Sequence, residues 1–537
     1  MCNDFSNYGF EYLDNLIHSD SGYVNLKQDI LMKESELDFY GDGIEIDTDL
    51  IIDGNGHTID ANGLSRIFTI SGNVVLKNII FANGRYSKNT FDNMNDGGGA
   101  LYLMPASTVE MEGCLFLNNS TCNSAGVILN RSKSLKITNC RFEKNHARYN
   151  GGVIVNEDSD VEVSDCEFVK NYASLSGCIY NGNSHANLNN LFFKANHAYI
   201  SGVISNNHSS MELNDCRFRN NYSKGFAGVI FNYHDFSRFN RCIFVKNKSR
   251  QGGGVFYNDS GQTSLNSCKF SKNHSKESGG CIFNENGCFK LSCCKFRGNF
   301  AFIRGGAMEN NIQSELHLSD CRFSKNHAQD GGAISNMKRC RLFLKSCSFK
   351  NNCALENGGV VHNWFGFTDI SDSRFIKNKS ESGGSIDNYL GWINVKATRF
   401  KRNHVKKYGG AIFNGGMLNS LDDCIFEKNL APLKGGAIYA TKSSSANISN
   451  SKFDSNAANG NGGVGGAIYN NSQGAENDEY GSDLSQCVFS YNFATEDGAA
   501  IFNNGKLILN ECEFKFNETS NHGKELKNEG ILSGHKS

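Results

Sequence analysis

Along most of the chain, apolar and polar residues alternate with period two over four to six positions, as in Leu135-Lys136-Ile137, and each run ends at turn-forming residues. Such alternation predicts short strands with one buried face. The runs repeat. A Phe-x-x-Asn motif occurs 16 times, with Phe at 116, 142, 168 and 193 through to 489 and 514, spaced 25 to 27 residues apart except for one gap of 36. Between copies lies a second motif, Gly-Gly-[Ala/Val]-Ile-x-Asn, as in Gly332-Ala333-Ile334-Ser335-Asn336 and Gly410-Ala411-Ile412-Phe413-Asn414. No stretch of the repeat keeps apolar positions three and four apart, and helical solenoid units run to about 33 to 45 residues, so the repeat is not helical.

Three strands of four to six residues plus three turns consume about 25 residues, one coil of a parallel β-helix. The expected fold is therefore all-β: a single-domain parallel β-helix of about 17 coils with three strands per coil, right-handed by the family resemblance given below. Equivalent residues then stack vertically. The motif Phe and the Ile of the Gly-Gly motif point inward, and the Asn residues form inward ladders whose amides bond from coil to coil and tolerate left-handed backbone angles. Residues 1–40 are expected to cap the first coil, with Phe10, Leu13, Leu16 and Ile17 at helical spacing within residues 5–18. The solenoid is assigned to 41–517, a polar frayed tail to 518–537, and surface loops to 84–96 and 471–483.

Composition fits this picture. Only 2 of 537 residues are Pro, as expected where central strands need every amide hydrogen. Lys plus Arg (54) balance Asp plus Glu (55), which argues against a nucleic-acid partner. No apolar run approaches the roughly 18 residues of a membrane helix, and Met1-Cys2-Asn3-Asp4 opens no signal-like apolar region. No cofactor motif is present, and a monomer is expected.

The 20 cysteines are not spaced as a disulfide scaffold. Most stand two residues before the motif Phe, from Cys114 and Cys140 to Cys487 and Cys512, where Leu191, Ser373, Thr398 and Ser451 stand in other coils. A position accepting all of these is a small buried slot. So many unpaired thiols imply a reducing or anoxic setting. No CxxC pair occurs, and His146, His197, His274, His327 and His404 fall on no two neighbouring coils, so no metal site is expected. The histidines are read as solvated turn residues. A basic stripe (Lys144, Lys170, Lys377, Arg402) precedes the ladder Asn and serves solubility. Asn119, Asn221, Asn247, Asn273, Asn378 and Asn517 match the glycosylation sequon but are expected to be sequestered in the ladder.

The position between Ile and Asn of the Gly-Gly motif points outward and is often aromatic: Tyr180, Phe231, Tyr257, Phe283, Phe413, Tyr439, Tyr469 and Phe502. A stripe of rings suits sugar faces or a partner's apolar surface, or simply stiffens the sheet by stacking. Four successive coils interrupt it with Glu309, Ser335, His362 and Asp387, and Trp364, Tyr389 and Trp392, which include both tryptophans, lie nearby. Ser335, His362 and Asp387 have the residue types of a nucleophile, base and orienting acid. Glu309 and Asp387 have those of a glycosidase pair, though three coils separate them by about 14 Å. With no oxyanion hole or pocket wall evident, a binding patch around the tryptophans is the preferred use, and no catalytic residue is assigned.

The paired motifs resemble the repeats of chlamydial polymorphic outer-membrane proteins. More closely, they resemble the adhesin-like right-handed β-helix repeat proteins of methanogenic archaea, to which Asp49-Leu50-Ile51-Ile52-Asp53-Gly54-Asn55-Gly56-His57-Thr58-Ile59-Asp60 and Leu76-Lys77-Asn78-Ile79-Ile80-Phe81 are similar. The resemblance spans roughly residues 36–517. It implies a pectin-lyase-like fold and a cell-surface or secreted adhesin that binds a glycan or protein on another cell or on the cell envelope. Two alternatives remain open: a polysaccharide hydrolase or lyase of the same fold, and a structural surface-layer spacer.

Overall fold

A computed structural model describes residues 8–19, 22–87, 96–473 and 481–534. Most of the two expected surface loops, 88–95 and 474–480, lies outside the described residues. The chain divides into two compact units, 1–263 and 264–537, each a stretch of right-handed parallel β-solenoid. Between them they carry about 19 turns in four parallel sheets rather than 17 turns in three.

One coil of the first unit shows the plan: Ile154–Glu157, Asp160–Ser164, Glu167–Val169 and Tyr172–Ala173. The fourth strand is only two residues long. It pairs His146 with Tyr172 and Tyr172 with His197, so these histidines belong to a sheet and not to a turn. Further coils come from the ends. Tyr23–Asn25 already pairs with Leu50–Asp53, and Leu526–Asn528 and Ile531–Ser533 pair with the coil before them. Before the first coil, an α-helix, Phe10–Ile17, buries Phe10, Leu13 and Ile17. The Glu36 carboxylate accepts the backbone N–H groups of Glu11 and Lys33 at 3.0 and 2.8 Å.

Inside each unit the columns are as regular as the sequence. Phe81 to Phe244 stack at 4.7–4.9 Å between ring centroids in the first unit. Phe270 to Phe514 stack at 4.4–5.1 Å in the second. Within each unit the Nδ2 of one motif Asn donates to the Oδ1 of the next, as from Asn119 to Asn145 (3.1 Å) and Asn352 to Asn378 (3.2 Å). The sequon residues Asn119, Asn221, Asn247, Asn273 and Asn378 are thus fully buried, whereas Asn517, at the end of the ladder, is only partly buried. Left-handed backbone angles fall one residue earlier than expected, on Lys144 (φ 56°), Lys170 (φ 56°) and Lys377 (φ 55°).

The cysteine slot does more than fill space. The Cys140 and Cys166 sulfurs accept the backbone N–H of Cys114 and Cys140 at 3.4 and 3.2 Å, and Ser373 Oγ does the same for Cys347 at 3.1 Å. A thiol or hydroxyl therefore satisfies an amide of the preceding coil that the strand pairing leaves over.

The second Asn ladder contains an intruder. Asn130, Asn156, Asn181 and Asn206 follow one another, but Asn206 Nδ2 donates to Asp235 Oδ2 at 2.6 Å. Asp235 Oδ1 and Asn232 Oδ1 are left buried without a donor. Burial pushes the Asp235 carboxyl up to about 7, against the opposing hydrogen bonds from Asn206 and the Tyr233 backbone. The folded acid keeps its proton over a range where the unfolded one, at 3.8, has lost it, so stability falls as pH rises through that interval. Asp235→Asn supplies a permanent donor. It should melt well above the wild type at pH 8, by on the order of 4 kcal/mol at most, and match it near pH 4, as read by circular dichroism melts.

Candidate functional site

In the second unit, the coil Ile386–Tyr389, Trp392–Lys396, Arg399–Lys401 and His404–Tyr408 carries the centre of the site. Strand pairing stacks Glu309 on Ser335, Ser335 on His362, His362 on Asp387 and Asp387 on Phe413. The column faces away from the barrel interior, yet it is not an open stripe. The segment leading into each Gly-Gly pair folds over it. Tyr408 lies 5.1 Å from Tyr439, Lys434 Nζ sits 4.3 Å over the Tyr469 ring, and Arg304 reaches Glu309. Phe413, Tyr439, Tyr469 and Phe502 stack at 5.2–5.3 Å, and the last two are nearly covered. In the first unit Phe226 covers Tyr257, which stacks on Phe231 at 5.4 Å, and Tyr180 packs on Ala125, Leu129 and Val155. Most of the expected exterior stripe is thus an outer layer of packing. Phe283 pairs with Glu309 at its lower end.

The covering segments are held by glycine. Gly383 sits at φ +62°, and a Cβ on Gly384 would lie 2.2 Å from the Gly410 carbonyl oxygen, so neither position accepts a side chain.

Glu309 is fully buried. Arg304 Nη2 approaches Oε1 at 3.2 Å as an ion-pair contact, but neither carboxylate oxygen has an aligned hydrogen-bond donor. Burial pushes this carboxyl up against the pull of Arg304 and Ser278. Ser335 is also fully buried, and its hydroxyl donates to the Met337 sulfur at 3.3 Å rather than to His362. A nucleophile shut away from solvent cannot meet a substrate. Of the three candidate triad residues the structure therefore joins two: His362 Nδ1 and Asp387 Oδ2 lie 2.7 Å apart, both largely buried.

This pair lies in an open cleft of about 710 Å³, lined also by Trp364, Tyr389, Leu390, Phe413, Asn357, Gly415, Thr441 and Ser443. Its origin is local. Trp364 pairs with Tyr389 at the corner after the ladder Asn, but in the next coil that corner is Gly415-Gly416. The missing side chain leaves the gap. Trp364 and Tyr389 remain 37% and 46% exposed, with Phe365 wedged edge-on between them at 5.1 and 5.9 Å. Trp392, 47% exposed, belongs to the neighbouring sheet, paired with Phe367, and does not line the cleft. Leu390, Thr441, Ser443 and Asn357 escaped sequence reasoning. The signal that marks them is the double glycine at 415–416, in the corner that Trp364 and Tyr389 fill in the two coils before it.

Burial lowers the His362 pKa, but the hydrogen bond that its Nδ1–H donates to Asp387 and the charges of Asp387 and Asp330 outweigh it and the opposing Arg304, so the net shift is upward. A raised folded value stabilises the protein below the ordinary 6.5, and that contribution is lost as pH rises through the folded value. Asp387→Asn should bring the His362 titration, followed by NMR of the ring, below 6.5, and should lower the melting temperature more at pH 5.5 than at pH 9.

Comparison with known proteins matches the chain to the model of the right handed beta helix region over residues 23–193 and 125–301, together just over half of its length. The Chlamydia polymorphic membrane protein repeat matches residues 423–441. No curated protein matches significantly. Among solved structures, the PL6 family alginate lyase AlyGC aligns at 9% identity, covering 98% of this chain and 99% of that one, with a TM-score of 0.20. A mutant form of the same lyase aligns at 8% identity over the same shares, with a TM-score of 0.22. Among the described residues no helix is long and apolar enough to cross a membrane.

Proposed function

The chain belongs to the right-handed β-helix family, and from that premise we propose that it is a surface adhesin-like protein that binds a glycan in the cleft between Trp364 and Ser443. The observation that carries the reading is the cleft itself, which brings exposed indole and phenol rings, the hydroxyls of Thr441 and Ser443 and a buried His–Asp pair into one groove. Sugar rings offer an apolar face to an aromatic plane and a rim of hydroxyls to polar groups, and few other solutes need both within one groove. The match to the polymorphic membrane protein repeat supports a surface setting, as does the resemblance to adhesin-like repeat proteins of methanogenic archaea.

A polysaccharide-acting enzyme is the second reading, favoured by one feature: His362 and Asp387 are paired at 2.7 Å where a bound sugar would rest. The carboxylate partner shifts the His362 pKa upward against burial, a direction that suits a general acid, whereas the buried Ser335 and Glu309 have no path to substrate.

On a polysaccharide array, Trp364→Ala and Tyr389→Ala should each lower retention at least tenfold, while Trp392→Ala, outside the cleft, changes it little. Gly415 is not in the left-handed region, and a Cβ placed on it would meet no backbone atom closer than 3.3 Å, so Gly415→Leu should fold normally yet block the cleft. Retention unaffected by Gly415→Leu overturns the proposal. Release of reducing ends or unsaturated sugars that stops in His362→Gln favours the enzyme.

A further inference from the structure

Away from this cleft, on the outer face of another sheet of the second unit, three side chains of metal-binding type converge. Cys288 and Glu315 are register partners on adjacent strands, and His317 follows two residues after Glu315 on the same face. The Cys288 sulfur, a Glu315 carboxylate oxygen and a His317 ring nitrogen all lie within 4.8 Å of one another, and His317 Nε2 is 3.1 Å from Glu315 Oε2. All three residues are partly buried.

The geometry points to a zinc-type divalent metal site formed by Cys288, Glu315 and His317, with a fourth position open to water or an exogenous ligand. Bonds of about 2.0 to 2.3 Å in a tetrahedral site put ligand atoms roughly 3.3 to 3.8 Å apart, so the imidazole–carboxylate edge is nearly at its bonded length and the thiol has a short swing to make. The donor set of thiolate, imidazole and carboxylate suits Zn²⁺ or Co²⁺; the hard, all-oxygen cages of Ca²⁺ and Mg²⁺ do not resemble it.

The neighbours hold two of the ligands in place. The Phe343 ring stacks on His317 at 4.6 Å, fixing the imidazole plane, and Arg341 Nη1 lies 3.6 Å from Glu315 Oε1, leaving Oε2 turned toward the site. A cysteine binds a divalent metal as the thiolate, so the Cys288 proton leaves as the metal–sulfur bond forms. Neither a CxxC pair nor a single histidine column on neighbouring coils marks this group, because its ligands are three unlike residues. Here the ligands come from adjacent coils, and only the register reveals them.

The test is a Co²⁺ titration of the full chain under reducing conditions, read by the thiolate-to-cobalt charge-transfer absorption and by displacement with Zn²⁺. One equivalent of Co²⁺ should give the band. Cys288→Ser should abolish it, and Glu315→Gln and His317→Ala should each weaken the apparent affinity at least tenfold, while Cys293→Ser, which removes an exposed thiol nearby in sequence, should leave it intact. Affinity should rise with pH as one proton is released per metal. Melting temperatures of the variants separate loss of ligand from loss of fold. If a variant melts early, the remaining two in the folded state decide. No band at millimolar Co²⁺, or a band unchanged in Cys288→Ser, overturns the assignment.

Discussion

The constraint on which the rest depends is that, within each unit, a residue's nearest neighbours are its own counterparts one coil before and one coil after. Parallel strands about 4.8 Å apart leave an inward side chain no other partner in the axial direction. Whatever occupies a column must therefore stack on itself. Phenylalanine meets this by offset ring stacking, and asparagine by donating with one end of its amide and accepting with the other. Carboxylates cannot do so, which is why burial pushes the Asp235 carboxyl upward and why Asp235 Oδ1 and Asn232 Oδ1 are left without a donor.

The same rule explains where chemistry is tolerated. Inside the barrel a departure disrupts contacts on both sides, whereas outside it disturbs only the covering layer. Glu309, Ser335, His362 and Asp387 form one run of departures, and the glycines at 415–416 are another. The cleft lies where the two meet, because a pair of polar groups needs burial to be strong and a gap in the wall to be reached. The Cys288–Glu315–His317 group is a third local departure, on a different sheet and independent of the cleft.

The inward half of the structure was legible because its columns are long. Sixteen repetitions of Phe-x-x-Asn at nearly one spacing fit a stack of equivalent coils and little else, and the buried sequon asparagines follow from them. The fourth strand was not legible, since two residues such as His146–Ala147 are too short to display an alternation. The outer column was legible in position but not in exposure. Pattern fixes which way Tyr469 points, while Lys434 and the segment around it, which cover the ring, lie on a loop whose path no periodicity records. For the same reason Trp364 and Trp392, grouped by sequence proximity, separate onto two sheets once the corner at Phe365-Gly366 is drawn.

The cysteine column carries the physics one step further. By residue type alone, a slot that takes Cys, Ser and Thr but also Leu191 is selected only for size. In the structure the sulfur or oxygen receives an amide hydrogen from the preceding coil, and in turn sits 3.0–3.5 Å from the carbonyl two residues before it, as Cys166 and Cys114 do. Thiols are weak donors and weak acceptors, so each bond is small, and the amide bond recurs at further coils, as from Cys347 to Ser373 and from Cys424 to Ser451. Serine would bond more strongly and yet give up the apolar contact of sulfur with the adjoining core. The preference for cysteine is thus a balance between hydrogen bonding and packing. That balance holds only while the thiols stay reduced, which ties the stability of the interior to the redox state of the surroundings.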